Sequence, residues 1–222
     1  MGISLLSISH RVAPLEIREL FAFSQEIQIE LMHRMILKGI AQECVMISTC
    51  NRTEIYTYQD GDKNCFTQVQ EVLLQFAQAE MMENIGSYVR FYSDKKAIQH
   101  LFKVAAGLDS MVLGEDQILG QVKHAHEQAR EAGTCDVYLN TLFRYAVTAS
   151  KKVKTETDLS RTSVSTATMA VKAAEQTFGS LWGKKVMLIG ASGKIGGIVL
   201  KNLQCIEGVE IYITSRNKGK IG

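Results

Sequence analysis

The chain has 222 residues, with 25 lysines and arginines against 23 acids, a formal charge of +2 and 46% hydrophobic residues. That is the composition of an ordinary globular protein, one large domain or two small ones, and not of a disordered chain. A charge so close to balance creates no overall basic field for nucleic acid, so any RNA contact has to come from local patches.

Residues 3 to 8 alternate weakly and predict a first strand, too short an apolar run and too poor in flanking basic residues for a signal peptide. No apolar stretch is long enough to span a bilayer. Pro14 precedes a helical pattern, and Ser24 suits the N-cap of a second helix that runs to about Leu37 and ends at Gly39. Val45, Met46 and Ile47 predict a short buried strand and Ile55 to Tyr58 another, with Cys50 in the polar turn between them. A helix is expected from about Phe66 to Met82 and a strand over Tyr88 to Ser93. Ser93 or Asp94 then caps a helix with the apolar stripe Ala97, Ile98, Leu101, Phe102, Val104 and Ala105, closed by Gly107. Another helix follows Gly114-Glu115-Asp116-Gln117 and runs to about Ala132. Helical patterns over 137–155 and 163–178 complete a helix-rich middle.

From Lys184 the texture changes to a buried strand, a glycine-rich turn, a short helix and a second strand, which is half of a nucleotide-binding βαβ repeat. The turn, Gly190-Ala191-Ser192-Gly193-Lys194-Ile195-Gly196, reads GxxGxxG. It is either a backbone cradle for a pyrophosphate at a helix N-terminus or a bare strand-to-helix connection. The second strand leads into Ser215 and Arg216 with no acid. That favours a 2′-phosphate and NADP(H), unless Arg216 is simply a surface arginine. The expected fold class is α/β: an α+β domain over 1–155, a helical linker over 156–183, and the first half of a Rossmann-type domain over 184–222. Two strands and one helix cannot bury both faces of a parallel sheet, so the chain looks truncated.

Five scattered cysteines without a CxxC pair argue against a disulfide framework or a zinc ribbon and fit a reducing cytoplasm. His124 and His126 are two apart, on roughly opposite faces of a helix, so no metal site is expected. Cys50 is flanked by Thr49, Asn51 and Arg52, surroundings that favour a thiolate, although a lone cysteine is also a common small core residue. His100 lies at the edge of its helical stripe, a satisfied core-edge histidine or one that faces a cleft. Ser110, Glu115, Gln117 and Gln121 interrupt apolar residues with hydrogen-bonding groups, while Glu115 and Asp116 also suit a helix start. Arg144, Lys151, Lys152, Lys154 and Arg161 form either an RNA-facing patch or a solvated helix face.

The stretches SISHRVAPLEIRELFAFS, STCNRTEIY and HLFKVAAGLDSMVLGEDQILGQVK together closely resemble glutamyl-tRNA reductases. The resemblance covers the first ~180 residues continuously and extends more loosely into the glycine-rich segment, by the spacing of its motifs. It implies an oxidoreductase whose nucleophile is Cys50. The cysteine takes the glutamyl group from its tRNA as a thioester, which hydride from NADPH reduces to glutamate-1-semialdehyde for tetrapyrrole synthesis. It also implies a substrate pocket of Thr49, Cys50, Asn51, Arg52, Ser110, Glu115, Asp116, Gln117 and Gln121. In that pocket Arg52 grips a carboxylate in a bidentate manner and Glu115 meets the ammonium group. His100 is implied as a polarising or proton-transfer group. The cofactor falls to residues 190–196 with Ser215 and Arg216. The implied partners are glutamyl-tRNA, a second copy through a dimerisation region absent from this chain, and the aminomutase that follows, with no membrane. Two other readings are a non-reducing homologue that binds tRNA or a partner, or hydrolyses the thioester, and a generic NADP-dependent dehydrogenase.

Overall fold

The computed structural model describes residues 2–60, 65–78, 84–115, 117–157, 159 and 166–214. The chain divides into two compact units, Met1–Ser160 and Arg161–Gly222.

The first unit is built on a four-stranded antiparallel sheet of β1 (Ile3–Ser9), β2 (Glu43–Ser48), β3 (Arg52–Tyr58) and β4 (Arg90–Ser93), in the order β2-β3-β1-β4. Its connections are α1 (Leu15–Leu20), α2 (Gln25–Leu37), α3 (Phe66–Phe76) and a 3-10 turn, Ile85–Tyr88. After β4 come α4 (Asp94–Ala105), α5 (Gln117–Glu131) and α6 (Val137–Glu156). Every residue of β3 is buried, because helices cover both faces of the central strands. Thr57 and Phe91 on one face meet Cys65 and Phe66 at the start of α3. Tyr56 on the other packs edge-on against Phe143 of α6. The Ser24 hydroxyl caps α2 by accepting from the Ile27 N–H.

Three sequence expectations need adjustment. The third helix ends at Phe76, and Gln78 adopts a left-handed φ of 51°; positions 79–82 lie outside the described residues. The strand expected from Tyr88 starts at Arg90, since Tyr88 closes the 3-10 turn. Of the two residues expected to cap α4, Ser93 holds the N-cap position, but its side chain makes no cap hydrogen bond, and Asp94 is the first helical residue.

Glu43 performs a long-range cap that the local sequence does not announce. Its buried carboxylate accepts N–H groups of Asp136 (3.1 Å), Tyr138 (2.9 Å) and Leu139 (2.8 Å), at the N-terminus of α6. These donors have no intrahelical partner, and an acid there also complements the helix dipole. Glu43→Ala is expected to cost about 3 kcal/mol, the range for losing charge-assisted bonds and orphaning buried donors. Urea denaturation would check it, with the midpoint falling and the slope unchanged.

The second unit contains α7 (Thr166–Phe178) and the parallel pair β5 (Lys185–Ile189) and β6 (Glu210–Thr214), joined by α8 (Lys194–Gln204). Val171 of α7 shares one core with Leu181 and Leu203, against which Val186 and Ile211 pack. The helix expected as a linker is therefore part of the second unit. The two units divide after Ser160, within the polar sequence 155–163. Met187, Ile189 and Tyr212 remain exposed, as expected of a sheet with helix on one face.

Candidate active site

Cys50 is exposed, at the tip of the turn between β2 and β3. Thr49 shapes that turn: its hydroxyl accepts the N–H groups of Asn51 (3.2 Å) and Arg52 (3.1 Å). The guanidinium that reaches the turn belongs to Arg18, which donates to the Cys50 carbonyl and to Asn51 Oδ1. The backbone N–H of His10 holds the Asn51 carbonyl from the other side. The polar neighbours of Cys50 thus bond elsewhere: Thr49 to backbone, Asn51 to Arg18, and Arg52 to Glu54 and Asp109.

A small pocket of about 40 Å³ opens beside this turn, lined by Thr49, Cys50, Asn51, Arg52 and, across from them, Ser110, Glu115, Gln117 and Gln121. The structure therefore brings together eight of the nine expected substrate residues; Asp116 lies outside the described residues. Ile118 supplies an apolar wall. Ser110 Oγ is buried without a hydrogen-bond partner among the described residues. A buried hydroxyl left so is costly unless something else satisfies it, which suits a pocket wall awaiting a polar ligand. Gly114 holds the opposite loop with a φ of +76°, and a Cβ there would stand 2.5 Å from the Leu159 carbonyl.

Arg52 departs from expectation. Its side chain is 1% exposed, and Nη1 donates to Glu54 Oε1 (2.9 Å) and Asp109 Oδ2 (3.1 Å). Nη2 donates to the Asp109 carbonyl (2.5 Å). The bidentate grip on a substrate carboxylate is therefore not available in this arrangement, because the guanidinium is already held by two acids. A strand starting at Arg52, rather than at Ile55, explains the change: alternation puts Arg52, Glu54 and Tyr56 on one face.

Glu54 is the centre of that face and was missed in the sequence. It is fully buried and accepts from Arg52, from Tyr56 Oη (2.8 Å) and from Ser7 Oγ (3.3 Å), the residue opposite it on β1. His100 Nε2 lies 2.7 Å from the same Oε1. Burial alone would push the Glu54 carboxyl up, but His100, Arg52 and the Tyr56 hydroxyl outweigh it and hold the group down at about 2. Glu54 is thus an acceptor only, so His100 Nε2 donates to it. Tyr92 stacks on the imidazole with ring centres 5.1 Å apart. His100 lines a separate, larger cleft, described below, and not the pocket at Cys50. The two are linked through the relay Arg52–Glu54–His100. A signal for Glu54 was present: opposite charges two apart in a strand share a face.

In the second unit Gly190 has a φ of +81°, and its carbonyl accepts the Gly193 N–H (3.0 Å). A Cβ on Gly196 would stand 2.2 Å from the Gly190 carbonyl, so this glycine lets α8 approach the turn closely. Gly193 is the N-cap of α8 and places no side chain over the helix end. Ala191, Ser192 and Ile195 belong to the same turn and first helical residues. Nothing is described for the side chain of Lys194, and Ser215 and Arg216 lie outside the described residues. A glycine turn opening a helix has the backbone form that a pyrophosphate requires.

Among the described residues no group of three or more histidine, cysteine or acidic side chains is placed to hold a metal. No described helix is long and apolar enough to cross a membrane.

With this geometry in hand, comparison with known proteins decides the family. Residues 6–157 match the family model "Glutamyl-tRNAGlu reductase, N-terminal domain". The chain belongs to the glutamyl-tRNA reductase family. It is 38% identical over 221 residues to the glutamyl-tRNA reductase of Clostridium novyi, covering all of this chain and 53% of that protein. It is 40% identical over 218 residues to that of Listeria welshimeri, covering 98% and 49%. The solved glutamyl-tRNA reductase from Methanopyrus kandleri superposes with a TM-score of 0.67 at 30% identity, over 99% of this chain and 50% of that one. The α/β fold class and the family expected from sequence are thereby established. The chain spans about half the length of the relatives it matches.

Proposed function

We propose that the chain carries the acyl-transfer site of an NADPH-dependent glutamyl-tRNA reductase, with Cys50 as its nucleophile. The observation that supports this reading is an exposed sulfur at the mouth of a pocket lined by Glu115, Gln117, Gln121 and an unsatisfied Ser110 hydroxyl. The Cys50 thiolate attacks the ester carbonyl joining glutamate to the terminal ribose of its tRNA. A carbon–sulfur bond forms, the carbon–oxygen ester bond breaks, and the ribose oxygen leaves with a proton. On this reading Glu115, which lines the pocket, meets the ammonium group of the glutamyl moiety, and the two glutamines offer amides to its carboxyl end. The Arg52–Glu54–Asp109 cluster ties the wall under the turn together without donating its guanidinium to the ligand.

When bound, NADPH supplies the hydride that converts the thioester to the aldehyde and returns the thiol. Gly190, Gly193 and Gly196 would hold its pyrophosphate. The wider assignments follow the same reading: glutamyl-tRNA as substrate, a cytoplasmic place in tetrapyrrole synthesis, and homodimers and an aminomutase as partners of the longer protein.

The deciding experiment is mass spectrometry of the chain after incubation with glutamyl-tRNA in the absence of NADPH. A glutamyl adduct on the Cys50 peptide supports the reading. No adduct, or one on another cysteine, overturns it.

A further inference from the structure

A second cleft, of about 310 Å³, opens on the other side of the Arg52–Asp109 contact. Its walls are β1 and β4 on one side and one face of α4 on the other. Lys96, Gln99, His100 and Lys103 follow the i, i+3, i+4, i+7 spacing of a single helix face. Arg90 faces them from the edge strand, and Arg11 from the loop after β1. Four cationic side chains thus meet one carboxylate, Asp109, whose oxygens are already engaged by Arg11 (2.5 Å) and Arg52 (3.1 Å). Lys96 and Lys103 have no ion-pair partner among the described residues. Such a surplus of unpaired positive charge, walled by low-dielectric protein, concentrates anions.

The layout says which anion. Lys96 and Lys103 stand about 10 Å apart along the helix, seven residues at 1.5 Å each. An isolated phosphate is held by donors converging on one point, whereas these cations form a row. A row suits a chain of phosphates. The row also runs beside the pocket at Cys50, with Asp109 lining one cavity and Ser110 the other.

We propose that this cleft holds the phosphodiester backbone at the 3′ end of the acyl-carrying RNA, positioning its terminal ester over Cys50. The inference rests on the acyl-transfer reading above and adds the site at which the RNA strand is held. Sequence-independent contacts to phosphate fix register and orientation, which is what delivery of an ester to one sulfur requires.

The test measures binding of a fluorescein-labelled single-stranded RNA ending in CCA to the full chain, by anisotropy across a salt series. The variants are K96A/K103A and, as a control, K95A, an exposed lysine on the same helix that does not line the cleft. The double variant is expected to bind about tenfold more weakly or worse, with a salt slope shallower by about 1.4, from about 0.7 per phosphate contact on single strands. K95A is expected to change affinity less than twofold. Equal losses in both variants, or an unchanged slope in the double variant, overturns the proposal. Displacement of the RNA by equimolar NADPH or pyrophosphate would give the cleft to the cofactor's phosphates and also overturns it. Because the readout involves no acyl group, it separates from the Cys50 adduct. RNA held through Lys96 and Lys103 with no adduct defeats acyl transfer alone, and an adduct without that binding defeats the cleft alone.

Discussion

Glu54→Ala is expected to destabilise the first unit by about 3–5 kcal/mol, the range for removing one partner of a buried ion pair. The loss falls on Arg52, whose 1%-exposed guanidinium would keep only Asp109, and on the hydroxyls of Tyr56 and Ser7. At roughly 2–4 °C per kcal/mol for a unit of this size, the melting temperature should fall by about 10 °C. Glu54→Gln, which keeps the shape and one acceptor, should lose less. The same carboxylate gives the wild type a specific acid response. Its pKa lies near 2 in the folded state against 4.5 unperturbed, so its stabilisation is complete above the unfolded value. That stabilisation is lost as pH falls from about 4.5 through about 2. Thermal melts from pH 6 down to pH 2 check both points: the wild type should lose its advantage over Glu54→Gln across that window. An advantage that persisted at pH 2 would contradict the assignment.

Cys50→Ser is expected to act in the opposite way, with a large loss of chemistry and almost none of stability. The side chain is exposed at a turn tip, and such substitutions usually stay within about 0.5 kcal/mol. A serine hydroxyl needs a base to become a nucleophile, and the nearby polar groups are bound to the turn itself. Formation of the glutamyl adduct should therefore fall by at least about a thousandfold, as for loss of other enzymatic nucleophiles. Single-turnover transfer from labelled glutamyl-tRNA, run beside a melting curve, measures both quantities. Retention of most activity would instead favour a dehydrogenase that passes hydride without a covalent step.

The two substitutions also mark what a sequence can disclose. The turn at Cys50, the strands beside it and the cap at Ser24 depend on residues close in the chain, and local pattern found them. Ser110, Glu115, Gln117 and Gln121 became legible through the resemblance, and they do line one pocket with Cys50. Arg18 and Asp109 carried no such signal. Arg18 reaches the cysteine turn across 32 positions, and Asp109 meets Arg52 across 57. Their roles are created by strand register and helix packing, which local periodicity does not encode. For Arg52 the resemblance implies a hand open to a carboxylate. In the fold, its own strand neighbour two residues on closes that hand. Glu43 belongs to the same class, since the helix it caps begins more than ninety residues later.

The distribution of thiols makes the protein a sensor of its own occupancy. Burial pushes the Cys44 thiol far up, and burial reinforced by Glu43 pushes Cys135 up to about 12, so neither ionises near neutrality. Cys65 is covered, which leaves Cys50 and Cys205 open to solvent. With Cys205 changed to serine, Cys50 would be the one exposed thiol left beside the half-buried, un-ionised Cys135, and its rate of attachment to an alkylating dye would rise and fall with whatever shields the pocket. Ligands, RNA fragments and inhibitors could then be ranked by how long they delay a colour.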